Sequence, residues 1–515
     1  MSDIGASLGR VAESWLPRIL TQLCRDPTSP FHGCADRTWW HYKIRDFPSI
    51  ILQQAGYAVH LAGRQSGEPA ALDALAAASA RFWNARALRH GAFEEYYPFE
   101  QGYPPLAFAS LTMAKLAGEG VVPVAEIAPG LRVAARQLRT RFEPQAANQQ
   151  VAGLAALAWI DRLLPGEADA AAFADLKART LALQTGEGWF WEYDGPDLGY
   201  LAVTLDCLWD LYDATGDEAY REAIARALGF MAKVHAVLPR GAGMLNARNT
   251  DYLAPYGIVR AALAGDANAA LVAHAAFRDA DAPDHAFAAV DDRYVCHYLG
   301  QSVMRACLLL GRGHIASPPA RQPATELLAE CGYYLAPGLV VACRKGGVLS
   351  LGSGKSEFGW IVERGPQQFV SHWWSREWVF AREGETLTVS GQLFAHRERA
   401  STPAKHVVLR GLSFLLGRRL IGLLKRVLIF KRGGDGPSLE RTIMPTADGV
   451  EIVDRLAGLR PSDRVLRAPR ASKRHVASAD SFHREDLSLL GEARITEERT
   501  ALPGGRLEVR TRLTR

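Results

Sequence analysis

The sequence predicts an α+β multidomain protein, in which an N-terminal (α/α) toroid of helical hairpins precedes an antiparallel β-sandwich-like domain. At 515 residues the chain is too long for one ordinary hydrophobic core. Clusters of aromatic and polar residues interrupt an alanine-rich helical pattern at a spacing of roughly fifty residues, which is typical of a repeated helical hairpin. After a proline-rich linker the pattern becomes β-like. We therefore expect the toroid over residues 1–317 and the β domain over residues 318–515.

The helical domain is predicted from apolar residues at i, i+3, i+4 and i+7, which are clearest in segments 71–86, 106–117, 152–163 and 220–234. Asp217 is the expected N-cap of the last of these helices. Between the helices lie six clusters of aromatic and polar residues, at 39–42, 96–98, 148–150, 189–200, 248–252 and 294–301. A closed ring of six hairpins brings such clusters to one end, where they can form a sugar-binding cleft.

The β domain is predicted from short β-branched or aromatic runs, punctuated by glycine, that follow Pro318, Pro319 and Pro323. These runs are 339–343, 348–351, 359–362, 368–372, 378–381, 387–392, 439–443, 450–456 and 507–513. Helices followed by runs of strands favour an α+β architecture.

One segment of the β domain, residues 410–432, has a helical pattern instead. It combines a strong apolar face with basic residues, namely Arg418, Arg419, Lys425, Arg426, Lys431 and Arg432. This pattern is typical of a helix that lies in the plane of a membrane surface. A helix packed on the sheet with its basic side in water has the same pattern, so both interpretations stand.

The net charge of +5 is unevenly distributed along the chain. Residues 1–330 hold 29 Lys and Arg against 36 Asp and Glu, a net −7, whereas residues 331–515 hold 31 against 19, a net +12. The basic part indicates either an anionic partner or a solvated basic face. Its basic residues form no recognisable nucleic-acid module, so we expect no nucleic-acid partner.

The expected compartment and cofactors are inferred from the N-terminal sequence and from the spacing of the cysteines and histidines. The first residues show no basic segment followed by an apolar one, so no secretory signal is predicted. The seven cysteines are scattered without disulfide or metal-ligand spacing, and the histidines also lack ligand spacing. We expect a cytoplasmic protein, either free or peripheral at the inner membrane face, with no metal and no cofactor.

One stretch carries a family resemblance. Residues 188–200 read Gly-Trp-Phe-Trp-Glu-Tyr-Asp-Gly-Pro-Asp-Leu-Gly-Tyr and lead into a helical pattern. The stretch resembles the heparinase II/III-like polysaccharide lyases, a group of alginate lyase- and heparinase-like enzymes. Asn148-Gln149, one hairpin earlier, and the runs 248–250 and 255–257 are also similar. The resemblance implies an (α/α) toroid, a following β-sandwich, and cleavage of an anionic, uronate-containing polysaccharide by β-elimination.

The chemistry of elimination explains which residue types such a site needs. The reaction removes the proton α to a carboxylate, and this proton becomes acidic enough only when donors neutralise the carboxylate. By the resemblance, Asn148 assisted by Gln149 supplies those donors. Tyr200 is the candidate acid, base or both. Arg248 is the candidate for a bidentate grip on a carboxylate.

The resemblance also implies further site residues. A histidine of the β domain is expected to complete the catalytic group, and His372 is the expected position. Asn249 and Tyr252 follow the candidate arginine and are expected to bind substrate. Aromatic side chains that can stack on a sugar ring are Trp39, Trp40, Tyr96, Trp189 and Trp191. Each candidate also has a purely structural interpretation, as a helix cap, an ion-pair partner or part of the core.

Other functions remain open at this point. A glycoside hydrolase on the same toroid needs two carboxylates that flank the scissile bond. Its candidates are Glu94, Glu95, Glu192, Asp197, Asp251 and Asp292. A non-catalytic carbohydrate-binding or polysaccharide-assembly factor would bind without turnover. A terpene-cyclase-like toroid, suggested by residues 184–189, lacks an obvious Asp-rich motif.

Overall fold

The computed structural model consists of helices followed by antiparallel strands. The structure describes residues 3–67, 69–89, 91, 93–193, 195–239, 247, 250, 252–318, 322, 324–336, 339–343, 349–351, 359–371, 378–396, 402–417, 419–424, 436–467 and 494–514. The order of helices and strands confirms the predicted α+β class.

Fifteen α-helices lie between residues 4 and 310 in the described part of the chain. They are α1 (Ile4–Gln22), α2 (Arg37–Trp40), α3 (Ala55–Ser66), α4 (Pro69–Leu88), α5 (Ser110–Gly118), α6 (Val124–Arg139), α7 (Ala147–Leu163), α8 (Ala170–Leu181), α9 (Leu198–Thr215), α10 (Glu218–Val237), α11 (Tyr256–Leu263), α12 (Ala267–Phe277), α13 (Ala286–Ala289), α14 (Asp292–Tyr294) and α15 (Gly300–Leu310). A 3₁₀ segment at Ile50–Gln54 leads into α3, and π-helical segments at Pro105–Ala109 and Val295–Leu299 lead into α5 and α15.

Six of these helices follow one another in space as a closed series. In order of contact they are α3, α5, α7, α9, α11 and α15, and α15 returns to α3. Other long helices pack on members of this series: α4 on α3, α10 on α9, α12 on α11 and α1 on α15. Small side chains allow the close approach, since α7 buries Ala152, Ala155 and Ala156 completely.

A buried ionic network joins helices that are distant in sequence. Asp210 of α9 accepts a hydrogen bond from Lys115 of α5 at 2.8 Å and from Arg305 of α15 at 2.6 Å. The guanidinium carbon of Arg305 also lies 3.3 Å from the ring centroid of Tyr256 in α11. All four side chains are buried, so each charge depends on its partner to offset the loss of hydration. The network therefore links four members of the closed series.

The described strands form three antiparallel sheets. They are β1 (Glu326–Leu328), β2 (Tyr333–Ala336), β3 (Leu339–Cys343), β4 (Leu349–Leu351), β5 (Trp360–Arg364), β6 (Gln367–Val370), β7 (Val379–Glu383), β8 (Thr386–Gln392), β9 (Phe394–His396), β10 (Ser438–Pro445), β11 (Gly449–Ala457), β12 (Arg464–Arg467), β13 (Arg494–Leu502) and β14 (Arg506–Thr514). The sheet orders are β1-β2-β3-β4, β12-β5-β6-β9 and β13-β14-β11-β10-β8-β7. All nine predicted runs overlap strands, whereas β1, β2, β9, β12 and β13 were not predicted.

The first sheet contributes to two hydrophobic cores. Leu328, Tyr333 and Leu335 belong to the core of the helical domain, whereas Tyr334 and Val341 belong to the core of the other sheets. Alternate residues of a strand point to opposite faces, so one short strand can serve both cores. This sheet is therefore the layer that joins the helices to the remaining strands.

The predicted helix over 410–432 is corrected by the structure. Two helices, α16 (Pro403–Leu416) and α17 (Arg419–Leu424), lie between β9 and β10, and residues 425–435 lie outside the described part. α16 begins earlier than predicted because Thr402 caps it, and it ends at Gly417, whose φ of 49° favours glycine. Within the described ranges, no helix combines the length and the apolar composition needed to cross a bilayer.

Candidate functional site

Amide side chains whose oxygen atoms are unsatisfied lie at the start of α7 and just before it. The side-chain oxygens of Gln145, Asn148 and Gln149 are buried and have no hydrogen-bond partner. A buried polar atom without a partner costs about 1–3 kcal/mol, so each one calls for an explanation such as a ligand or a water. Gln150 differs, because its oxygen accepts from the hydroxyl of Tyr103 at 3.0 Å. The three unpartnered amides therefore define one side of the candidate site.

The side chain of Asn148 does not cap α7. The carboxylate of Glu192 accepts from the backbone N–H of Asn148 at 2.6 Å instead, and so places a negative group at the positive end of the helix. Glu192 is fully buried. The backbone N–H of Ala147 donates to the carbonyl of Trp191 at 3.1 Å. This pairing brings the second half of the site, on the loop before α9, against the start of α7.

Tyr200 lies on the first turn of α9, at the end of the same loop. Asp197 caps this helix, since its carboxylate accepts from the backbone N–H of Tyr200 at 3.0 Å. The carbonyl of Pro196 accepts from the backbone N–H of Ala247 at 2.8 Å. The loop that precedes α11 is thereby joined to the start of α9, where the side chain of Tyr200 is half-buried.

A glycine allows this loop to approach α9 closely. A Cβ atom on Gly199 would lie 2.2 Å from Cγ2 of Thr250 and 2.6 Å from the carbonyl oxygen of Tyr252. No side chain fits in that space, so Thr250 and Tyr252 pack directly against the first turn that carries Tyr200. The described residues of three predicted clusters, 148–150, 189–200 and 248–252, are thus brought together.

A row of aromatic rings continues from Tyr252. The ring centroids of Tyr252 and Tyr294 are 5.8 Å apart, and those of Tyr294 and His297 are 5.5 Å apart. Burial raises the pKa of Tyr252 well above its usual value, and the nearby Tyr294 and Tyr200 add to this shift. Tyr252 therefore keeps its proton and can act as a hydrogen-bond donor.

His297 was not singled out by sequence reasoning as a site residue. Burial lowers the pKa of His297 to about 3, and the charge of Arg293 adds to this effect. The imidazole is therefore neutral near pH 7, and its Nε2 atom is buried without a partner. It lies on a π-helical segment, a feature that is frequent at functional sites. The sequence signal that could have identified His297 is its position in the last predicted cluster, residues 294–301.

Acidic and basic residues lie beside this row. Buried Glu95 pairs with Arg293 at 2.6 Å, and the Arg293 guanidinium lies 5.1 Å from the ring centroid of the exposed Tyr96. Burial raises the pKa of Glu100 to about 7, and the neighbouring Glu95 adds to the shift. Glu100 accepts from the backbone N–H groups of Glu95 at 2.9 Å and Tyr96 at 2.7 Å.

The carboxylates considered for hydrolysis are held by structural partners. Glu94 pairs with Arg86 at 3.1 Å, and Asp292 pairs with Arg18 at 2.7 Å. Glu192 and Asp197 accept from backbone N–H groups at the starts of α7 and α9. Glu95 is the ion-pair partner of Arg293. Asp251 lies outside the described residues. The described candidates therefore do not form an unengaged pair that could flank a glycosidic bond.

The aromatic residues predicted to stack on sugar lie in different places. Trp189 is fully buried in the helical core, with its ring centroid 4.7 Å from that of half-buried Trp191. Sugar stacking needs an open indole face, so Trp189 is corrected to a core residue. Trp39 packs against Phe82 of α4, and the indole of Trp40 donates to a carbonyl at the end of α1. Trp39 and Trp40 therefore contact α4 and α1, two helices that pack on the closed series.

Three of the predicted site residues cannot be placed. Arg248, Asn249 and His372 lie outside the residues that the structure describes. Among the described residues, no group of three or more His, Cys, Asp or Glu is arranged to hold a metal ion.

Comparisons with known proteins include a likeness to a solved structure. No family model matches the chain. No curated protein matches it either. The chondroitin AC lyase of Streptomyces coelicolor A3, solved in complex with chondroitin sulphate, is 12% identical in sequence and has a TM-score of 0.48. The match covers 99% of this chain and 76% of that chain. A likeness of this size supports no assignment of family, activity or substrate.

Proposed function

We propose that this protein is a polysaccharide lyase-like enzyme that cleaves a uronate-containing polysaccharide by β-elimination. The closed series of helices is, in this proposal, an (α/α) toroid, with its site at the starts of α7 and α9. The unpartnered side-chain oxygens of Gln145, Asn148 and Gln149 carry the proposal. A uronate sugar has hydroxyl groups that can donate to amide oxygens and a carboxylate that can accept from amide N–H groups.

The proposed reaction assigns a role to each group. Asn148 and Gln149 bind and neutralise the carboxylate, so that the proton on the adjacent carbon becomes acidic. A base removes this proton, a carbon–carbon double bond forms, the bond to the 4-oxygen breaks, and the leaving oxygen takes a proton. Tyr200 is the proposed base, acid or both, because it is less buried than Tyr252 and sits on the first turn of α9. Tyr252, which keeps its proton, suits the role of donor.

The remaining predicted residues keep proposed roles. Arg248 and Asn249 are proposed to bind substrate, and His372 is proposed to complete the catalytic group. The proposed partner is an anionic polysaccharide or oligosaccharide, and the proposed compartment is the cytoplasm. Hydrolysis on the same fold is disfavoured, because the described carboxylates already serve helix starts and ion pairs.

The test is an absorbance assay on a panel of uronate polymers, since elimination creates an unsaturated uronate that absorbs in the ultraviolet. Tyr200→Phe is expected to lower the rate at least about 100-fold, because it removes the proton-transfer group. Tyr212→Phe, on the last turns of the same helix, is the matched control and is expected to retain activity. Release of reducing ends without absorbance would contradict elimination and support hydrolysis. Binding without turnover, unaffected by Tyr200→Phe, would support a binding factor.

A further inference from the structure

Helix α16 is exposed over almost its whole length, although much of its sequence is apolar. Val408, Leu412 and Leu415 follow the i, i+4, i+7 spacing of one helix face, and they are 59%, 38% and 75% exposed. Val407, beside them, is 70% exposed. Ser413, in contrast, is fully buried. The apolar face of this helix thus points to solvent while a polar residue points to the protein.

Two contacts join this helix to the helical domain. Arg410 forms an ion pair with Asp46, which lies in the helical domain. The ring of Phe414 lies 5.3 Å from that of Phe99, with the two planes nearly perpendicular. Arg410 and Phe414 both lie in the C-terminal half of α16. The helix is thus joined to the helical domain while its apolar side chains stay exposed, and neighbouring exposed apolar side chains are typical of an interaction surface.

The charge around this helix indicates the partner. Between Glu398 and Asp435 the sequence has nine Lys and Arg and no acidic residue. Lys405 and Arg419 are exposed at the beginning of α16 and of α17. An exposed apolar helix face in a segment of this basic composition matches an anionic bilayer, whose acyl region takes the apolar side chains and whose head groups attract the cations. A second copy of the chain fits less well, since the segment carries positive charge and offers no negative charge to pair with it.

We propose that α16 docks this protein on the surface of an anionic membrane, with Val407, Val408, Leu412 and Leu415 inserted into the interface. The helix lies in the plane of the bilayer and does not cross it. This inference is independent of the proposed reaction, because it rests on residues outside the candidate site. It places the loop that carries Phe99 beside the bilayer surface.

The experiment measures co-sedimentation of the full chain with lipid vesicles. Vesicles of phosphatidylcholine alone are compared with mixed phosphatidylcholine and phosphatidylglycerol vesicles at low and high salt. The wild-type chain is expected to bind the mixed vesicles, and more weakly at high salt. The double variant Val408→Glu/Leu415→Glu is expected to bind at least about tenfold more weakly, since charges replace inserted apolar groups.

The control is Val379→Glu. Val379 is equally exposed, at 60%, but lies on the edge strand β7. This variant is expected to bind like the wild type, and unfolding midpoints of all variants are expected to agree because the changed residues are on the surface. Three results would overturn the proposal: no binding to either vesicle, equal binding to both vesicles, or a concentration-dependent dimer that the double variant abolishes while vesicle binding is absent.

Discussion

At the residue scale, the candidate site is distinguished by polar atoms that lack partners. Gln149 and Gln150 are neighbours of the same type, yet the oxygen of Gln150 is satisfied by Tyr103 and that of Gln149 is not. Nothing in the local sequence separates the two. The partner of each amide is set by which helix the side chain faces, and that depends on the packing of α7 against its neighbours.

Glu192 is expected to hold the start of α7 in place. Glu192→Ala removes the acceptor of the Asn148 backbone N–H, and we expect it to lower the free energy of unfolding by about 1–2 kcal/mol. Urea denaturation measures this change. Glu13→Ala, at an exposed position on α1, is the control and is expected to stay within about 0.5 kcal/mol of the wild type. Equal stability of the two variants would contradict the role assigned to Glu192.

Buried His297 is expected to make the free energy of unfolding depend on pH. Its folded pKa is about 3, below the unfolded value of 6.5, so the unfolded chain binds the proton more readily under acid conditions. The stability that neutral His297 contributes is complete above pH 6.5 and is lost as the pH falls toward 3. We expect His297→Gln to reduce the fall in unfolding free energy between pH 7 and 5 by about 1–2 kcal/mol. Urea denaturation measures the unfolding free energy of the wild type and of His297→Gln. Their difference at pH 8, where the histidine is neutral in both the folded and the unfolded state, gives the effect of the substitution on packing alone. A parallel pH dependence of the two would contradict this account.

At the element scale, local chemistry was sufficient to predict four of the long helical segments and nine of the fourteen described strands. The segments 71–86 and 152–163 lie within α4 and α7. The predicted N-cap is confirmed, since Asp217 accepts from the backbone N–H of Ala219 at 3.0 Å. The segment 106–117 overlaps a π-helical stretch, Pro105–Ala109, that periodicity does not predict. Helix periodicity reports which face is buried, and a local change of winding leaves that pattern almost unaltered.

Gly199, on the first turn of α9, allows Thr250 and Tyr252 to pack closely against that turn. Gly199→Ala introduces a Cβ atom that meets Thr250 and the backbone of Tyr252, and we expect a loss of about 1–3 kcal/mol in unfolding free energy. Gly229→Ala in α10 is the matched control, because a Cβ there has nothing within 4 Å. It is expected to be neutral or to stabilise by up to about 1 kcal/mol. Thermal and urea unfolding measure both variants. A stable Gly199→Ala variant would contradict the close approach.

At the scale of the whole molecule, two features join distant parts of the chain. The ionic network of Lys115, Asp210 and Arg305 links three helices of the closed series. The first sheet joins the helical core to the strands, because alternate residues of β2 face different cores. Sequence reasoning predicted neither, since β1 and β2 are only 3 and 4 residues long and the ionic partners lie 95 positions apart.

Breaking the ionic network is expected to destabilise the helical domain strongly. Asp210→Ala leaves Lys115 and Arg305 buried without their carboxylate, and we expect a loss of about 3–5 kcal/mol in unfolding free energy. Asp175→Ala breaks the exposed pair with Arg179 instead and is expected to cost at most about 0.5 kcal/mol. Chemical denaturation followed by helical circular dichroism measures both. Similar losses for the two variants would show that the buried network is not a main tie between the helices.

The sequence by itself determined the class and order of the secondary structure and the identity of the residue clusters, because periodicity, caps and turn residues act over a few positions. It placed Asn148, Tyr200 and Tyr252 in three clusters that the structure brings together. The tertiary structure alone decided which polar atoms are satisfied, that Trp189 is core, and that α16 turns its apolar face outward. Those outcomes depend on partners supplied by distant segments, such as Glu192 for the start of α7, 44 positions away. A local pattern carries no information about such partners.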